Sequence, residues 1–184
     1  MTYQRLTVPA VEPLTLDDVK AHLRLDGTDE DATLTSLIAV ARDHMERATG
    51  LLPITQSWRL YVDSLSEDSV IQIVKGPLQR IDAARFHDAS GAVVPLDVNT
   101  MAYERDDFPA RVSLGRGDMS GVEVDFTAGL AATGNEVPGS IRRALLLHVA
   151  AMFEYRGAVA VADQPAVLPE GYERLLAPFR MRGL

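Results

Sequence analysis

Cysteine is absent from the 184 residues. Its absence excludes disulfides, thiolate zinc sites, iron–sulfur clusters and cysteine nucleophiles together, and it fits a reducing compartment. Lysine is scarce too. Lys20 and Lys75 are the only two, so the 18 basic side chains are otherwise arginine. Long apolar runs are also missing. The longest, Ala144 to Phe153, contains His148 and falls well short of the roughly 20 residues that span a bilayer. Met1-Thr2-Tyr3-Gln4-Arg5 leads to Pro9 and Pro13 with no apolar stretch, so no secretion signal is expected. These absences predict a soluble chain without membrane contact.

Catalytic patterns are missing as well. His22, His44, His87 and His148 never fall at the His-x-x-x-His or His-Glu-x-x-His spacing that puts two imidazoles on one metal. No serine sits in a Gly-x-Ser-x-Gly elbow. Gly115-Arg116-Gly117 lacks the lysine and the strand–loop–helix setting of a phosphate cradle. Asp17-Asp18 and Asp29-Glu30-Asp31 fall at helix starts, where capping and the helix dipole explain them. Asp106-Asp107 lies in a polar loop before Pro109. Arg116-Gly117-Asp118 matches a cell-adhesion tripeptide, but glycine and aspartate also suit a hairpin turn. The expectation is a chain that is not an enzyme and holds neither metal nor cofactor.

What is present is an ordinary globular balance, 47% apolar and 24% charged. A chain of this length can bury roughly 70% of its unfolded surface, enough for a real core. The net charge of −8 is uneven. Residues 1–50 carry nine acids and five bases, and residues 51–140 carry thirteen and seven. Residues 141–184 carry four and six, a net of +2. An acidic body argues against tight nucleic-acid binding, which needs clustered Lys and Arg. The basic end suits an acidic partner surface or plain solvation.

Periodicity divides the chain into three parts. Residues 1–13 read as an extended arm. Thr15 and Asp18 form a capping-box pattern ahead of Leu16, Val19 and Leu23, and Gly27 is the expected left-handed stop. Leu34, Leu37, Ile38, Ala41, Met45 and Ala48 predict a long second helix closed by Gly50, completing a helical hairpin. After Pro53 the period changes to two. Thr55–Val62, Val70–Val74, Ile81–His87, Val93–Val94, Arg111–Leu114 and Val122–Phe126 predict a small, mostly antiparallel sheet. The turns at 88–91 and 115–121 read as hairpins within it. Ser140 is the expected cap of a third helix to Tyr155, which is apolar almost all round and must be buried on more than one side, by its own fold or by a neighbouring subunit.

The predicted class is α+β: a helical hairpin, a small antiparallel sheet, a long apolar third helix and a short C-terminal helix. The body spans 1–156, with helices over 15–50, the β region over 54–127 and a helix over 140–156. Residues 157–184 read as a linker and a docking tail. A short helix from Glu170 to about Leu176 stops at Pro178, and the tail can dock elsewhere or fold back on its parent.

Several segments, taken in order, resemble the head–tail connector (adaptor) proteins of tailed phages and gene transfer agents. They are Leu14-Thr15-Leu16-Asp17-Asp18-Val19-Lys20-Ala21-His22-Leu23-Arg24-Leu25-Asp26, the acidic turn Asp29-Glu30-Asp31, and Gln56-Ser57-Trp58-Arg59-Leu60. Lys75-Gly76-Pro77-Leu78, Asp125-Phe126-Thr127-Ala128-Gly129-Leu130 and Val137-Pro138-Gly139-Ser140-Ile141-Arg142-Arg143-Ala144 follow, and Leu175-Leu176-Ala177-Pro178-Phe179-Arg180 ends the series. Phe179 stands where the family commonly has tyrosine.

The resemblance implies a virion or particle neck protein, assembled in the host cytoplasm. It implies a ring of identical copies, usually dodecameric, under the portal, extending the DNA channel and docking the next neck, stopper or tail protein. DNA would pass through the lumen without specific binding. On this resemblance Tyr172, Leu175, Leu176, Phe179, Arg180 and Arg182 are the expected portal contacts. Ile141, Leu145, His148, Met152 and Phe153 are the expected subunit interface. A head-completion stopper or tail terminator is the alternative from the same particle. A small enzyme or a host-binding module is the alternative of another class.

Overall fold

Thr15 opens the first helix as its sequence predicts. Its hydroxyl accepts from the Asp18 amide at 3.0 Å, and the Asp18 carboxylate accepts from the Thr15 amide at 2.9 Å. The computed structural model describes residues 1–65, 69–88, 90–104, 108–115, 119–156 and 168–179. Among them are four α-helices and eight strands, an α+β fold. The chain divides into two compact units. Val11–Ile54 and Ala131–Arg180 form a helical unit, and Met1–Ala10 and Thr55–Leu130 form a sheet unit.

The helical unit holds α1 (Leu16–Leu23), α2 (Asp31–Thr49), α3 (Gly139–Tyr155) and α4 (Tyr172–Leu176), the last followed by a single 3-10 turn, Ala177–Phe179. α1 stops earlier than Gly27 predicts: Arg24 takes the left-handed conformation at φ 58°, and Gly27 at φ 77° shapes the turn beyond. The Arg24 amide donates to the Lys20 carbonyl at this stop, and the Lys20 ammonium donates to the Gly27 carbonyl and to Asp31 at 2.8 Å across the turn. Gly50 ends α2 at φ 73°, as expected. α3 begins one residue before its predicted cap. Pro138 is the N-cap, its carbonyl accepts from the Ile141 and Arg142 amides, and Ser140 lies in the first turn.

α1, α2 and α4 all pack on α3. Val19, Leu34, Leu37, Ile38, Ala41 and Met45 are buried from the first two helices, and Ile141, Ala144, Leu145, Val149 and Met152 from α3. Each large side chain fully removed from water contributes about 1.5–3 kcal/mol. The segment before α1 is fastened by Glu12, which accepts from the Arg42 guanidinium at 2.8 and 3.2 Å. Arg42 also lies 3.3 Å from Glu46, which is 1% exposed.

Gly134 sits under this segment. A Cβ there would fall 2.8 Å from the Glu12 carbonyl oxygen and 3.2 Å from that of Pro13, both backbone atoms. Gly134→Ala is therefore expected to lower stability by about 1–3 kcal/mol, read as a lower urea midpoint at unchanged slope. An unchanged midpoint would show that the segment gives way freely.

The sheet unit contains β1 (Thr2–Arg5), β2 (Gln56–Ser64), β3 (Val70–Ile73), β4 (Leu78–His87), β5 (Val93–Leu96), β6 (Ala102–Tyr103), β7 (Ala110–Ser113) and β8 (Ser120–Ala128). They form two antiparallel sheets, β1-β2-β8-β4-β5 and β3-β7-β6. Two readings from sequence are corrected here. The extended arm begins with a true edge strand, because Thr2–Arg5 pairs with Trp58–Tyr61. Arg111–Leu114 and Val122–Phe126 are not one hairpin: β7 pairs β3 and β6, while β8 lies between β2 and β4 in the other sheet. The hairpin at 88–91 is present. Asp88 Oδ1 accepts from the Ser90 and Ala92 amides and joins β4 to β5.

Alternation sorts the side chains of the larger sheet. Trp58, Leu60 and Val62 on β2 and Val122, Val124 and Phe126 on β8 are buried. Ile71, Ile73, Ala110 and Val112 are the buried row of the smaller sheet. Tyr3 joins the two: its ring meets Phe126 edge-on at 6.3 Å, and its hydroxyl donates to the Gln72 carbonyl and accepts from the Val74 amide.

Candidate assembly surfaces

α3 is the element on which the expected interface residues lie. At 100° per residue, Ile141, Ala144, Leu145, His148, Val149, Ala151 and Met152 fall within about 160° of its circumference, and all seven are buried. Ile141, Leu145, His148 and Met152 thus place their side chains inside their own helical unit. Phe153 is half-buried on the opposite arc, with Leu146, Leu147 and Ala150. Its ring lies 4.1 Å beneath the Arg156 guanidinium, which donates to Glu30 at 2.6 and 2.8 Å. The Phe153 ring and the α1–α2 turn are thereby tied to one arginine.

His148 is fully buried on α3. Its ring meets His44 of α2 edge-on at 5.1 Å and Tyr172 of α4 edge-on at 5.4 Å. Removal of the His44 imidazole from water, helped by the Arg47 charge, holds its pKa below the ordinary histidine value. The three rings thus meet edge to face between helices, a favoured aromatic arrangement.

The expected portal contacts are divided by the fold. Tyr172 and Leu176 are buried against α3, at 1% and 0% exposure. Leu175 and Phe179 are half-buried. Arg180 and Arg182 lie outside the described residues, as do Asp106-Asp107, Arg116-Gly117-Asp118 and most of the linker (157–167). α4 folds back where the sequence promised few partners, because the apolar circumference of α3 supplies them.

The sheet unit presents a surface that sequence reasoning missed. On β8, Glu123 and Asp125 point away from the buried row. Arg59 of β2 donates two hydrogen bonds to Asp125, at 2.5 and 2.9 Å. Arg85 of β4 donates to Glu123 at 2.8 Å and to Asp125 at 3.3 Å. Arg59 also lies 3.6 Å from Glu123. The result is a closed lattice of two guanidiniums and two carboxylates across three strands, with no net charge. Its signal is present in the sequence as Arg59 on one β run and Glu123-x-Asp125 on another, both at period two. Only the register that sets Arg59 opposite Asp125 reveals the pairing.

Hydrogen bonding from Arg59, opposed by burial and aided by the charges of Arg59 and Arg85, holds the Asp125 carboxyl below the ordinary aspartate pKa. A depressed folded-state pKa contributes stability above the unfolded value of about 3.9, and that contribution is lost as pH falls through the folded value. Asp125→Asn is expected to flatten the acid limb of a urea-midpoint profile taken from about pH 6 to about pH 3. An equally steep limb in the variant would assign acid sensitivity to other groups.

Among the described residues no group of three or more His, Asp or Glu could hold a metal ion, and no helix is long and apolar enough to cross a membrane. Residues 13–82 match the sequence model of a family described as phage gp6-like head–tail connector protein. The chain resembles the phage head–tail connectors. The matched stretch runs from the capped start of α1 through α2 and into β4, the part in which the connector-like motifs are densest.

Solved structures extend the likeness to the whole chain. A chain from a virion of a native gene transfer agent particle is 26% identical, with a TM-score of 0.81, covering 100% of this chain and 97% of that one. A chain from the neck of a native gene transfer agent particle computed with C12 symmetry is 25% identical at a TM-score of 0.79, with the same coverage. A chain from the neck of an empty particle, computed with C6 symmetry, shares the fold at 24% identity and a TM-score of 0.78. No curated protein sequence matches the chain.

Proposed function

We propose that the chain is a structural subunit of a phage or gene transfer agent neck. Identical copies form a ring, twelvefold in this reading, beneath the portal of a filled head. The ring prolongs the DNA channel and presents a docking surface for the next neck or tail component. The observation that carries the reading is a coincidence of two kinds of likeness. The connector-family match covers the helical start of the chain, and full-length structural likeness leads to gene transfer agent particles, including a neck computed with C12 symmetry. A ring of identical chains requires one face of each copy to meet a different face of the next. DNA passes without specific binding, in keeping with an acidic chain whose Arg59 and Arg85 are already occupied by carboxylates.

In this reading the C-terminal end touches the portal. Tyr172 and Leu176 hold α4 on α3, and Leu175, Phe179, Arg180 and Arg182 reach the portal surface. A truncation after Leu168 would strip α4 from the helical unit, so substitutions are the cleaner probe. The full chain is purified together with its cognate portal and viewed by negative-stain microscopy, alone and as the variant Leu175→Ser, Phe179→Ser, Arg180→Glu, Arg182→Glu. Stacked rings with the native chain and their loss in the variant are expected. Rings that survive all four substitutions move the portal contact to the body. A native, folded chain that never stacks on the portal overturns the reading in favour of a stopper or terminator ring.

A further inference from the structure

The solvent side of α3 is unusual for an outer helix face. Opposite its buried arc, positions 140, 142, 143, 146, 147, 150, 153 and 154 span about 160°. Leu146, Leu147, Ala150 and Phe153 stand there, each keeping part of its surface in water. The neighbouring helix differs in degree: the solvated face of α2 mixes the small or short apolar Ala32, Ala39 and Val40 with Thr35, Ser36, Asp43 and Arg47. An amphipathic helix with one core-facing stripe needs only one apolar arc, and α1, α2 and α4 already bury that arc of α3. On the second arc, Arg142 and Arg143 at its start reach Asp18 and His22 of α1, while Leu146, Leu147 and Ala150 stay only half-buried in the single chain.

We propose that this outward arc of α3 is the surface on which one copy of the chain seats against the next. The inference rests on the ring reading above and names the contact that closes the ring. Three observations select a second copy as the occupant. The similar chain in the neck computed with C12 symmetry belongs to a repeating arrangement, so each copy there has a neighbour of its own kind. The apolar run is bounded by opposite charges, Arg143 near the start of the helix and Glu154 near its end, on the order of 16 Å apart along the axis. Such a polarity fixes the direction of a face meeting a different face, which a heterologous contact requires. Of the two arginines on the arc, Arg142 is paired with Asp18 at 2.9 Å, which leaves Arg143 against Glu154 and no cluster of free cations that a phosphate backbone would select. Phe153 is the fixed point of the surface, because the Arg156–Glu30 pair holds the guanidinium over its ring.

The lack of cysteine makes a direct test possible, since one introduced thiol is unique in the chain. Ala150→Cys, at the centre of the arc, is labelled with benzophenone maleimide, assembled with the cognate portal and irradiated. A product at twice the chain mass, containing two copies, is expected from the assembled rings and is expected to vanish from the unassembled chain. Ser36→Cys, labelled the same way on the polar face of α2, serves as the reference and is expected to give none. Rings that form without a copy-to-copy product from the Ala150→Cys chain overturn the inference and leave the ring reading intact. So does a product joined only to the portal, or an equal yield from the Ser36→Cys chain. If the labelled chain and the native chain alike form no ring, the ring reading fails and the inference falls with it.

Discussion

Arg42→Ala is expected to cost about 3–5 kcal/mol, because it removes the cation that faces a carboxylate buried in the helical unit. Glu46 is 1% exposed, 3.3 Å from the Arg42 guanidinium, and the other side of that guanidinium holds Glu12 at 2.8 and 3.2 Å. The loss would take a large share of the 5–15 kcal/mol that typically separates folded from unfolded domains. Equilibrium urea unfolding measures it. The origin of the cost can be separated from simple packing loss with a double variant. Arg42→Met with Glu46→Leu removes both charges and keeps the volume, and it is expected to recover most of the lost stability. If Arg42→Ala unfolds within about 1 kcal/mol of the native chain, the pair is too well hydrated to matter.

Tyr172→Ala is expected to have an effect of similar size but different extent. Truncating a buried aromatic side chain costs about 3–5 kcal/mol where the surroundings cannot collapse. Tyr172 is 1% exposed and touches His148 edge-on at 5.4 Å. α4 is only five residues long, too short to persist as a helix without its docking contacts. The loss should therefore appear as local opening and not as collapse of the unit. Hydrogen exchange would show amide protection lost over 172–179 and retained in α2. Proteolysis should then cut before α4 in the variant. Protection that persists at α4 would show that Leu176 alone, at 0% exposure, holds the segment.

The sequence carried the elements better than their partners. The helices were visible because each has its own local device: the Thr15–Asp18 box, Gly50 as a left-handed stop, and an apolar run in α3 that nothing polar interrupts but His148. The strands were visible through alternation in Gln56–Ser64 and Ser120–Ala128. Pairing was less visible, because strand order depends on contacts between residues far apart in sequence. Arg111–Leu114 and Val122–Phe126 look like neighbours across a glycine-bearing turn, yet each finds a better partner elsewhere.

The candidate surfaces follow the same division. Tyr172, Leu175, Leu176 and Phe179 were recognisable as anchors from their spacing. That Tyr172 and Leu176 are spent on α3 depends on tertiary packing, which periodicity does not encode. The arginine–carboxylate lattice was hidden for the same reason. Arg59, Arg85, Glu123 and Asp125 become one group only in the register of three strands.

The interleaving of the two units bears on how the chain is made. The helical unit takes its first half from Val11–Ile54 and its second from Ala131–Arg180, with Thr55–Leu130 of the sheet unit synthesised in between. α1 and α2 therefore leave the ribosome well before α3, the helix that covers Leu34, Leu37, Ile38, Ala41 and Met45. At bacterial translation speeds the delay is about 4–15 s, during which that apolar face has no lasting cover. A nascent chain of this design gives holding chaperones a fixed interval in which to act. Clusters of rare codons placed before Ala131 would lengthen it and lower the soluble yield of the subunit.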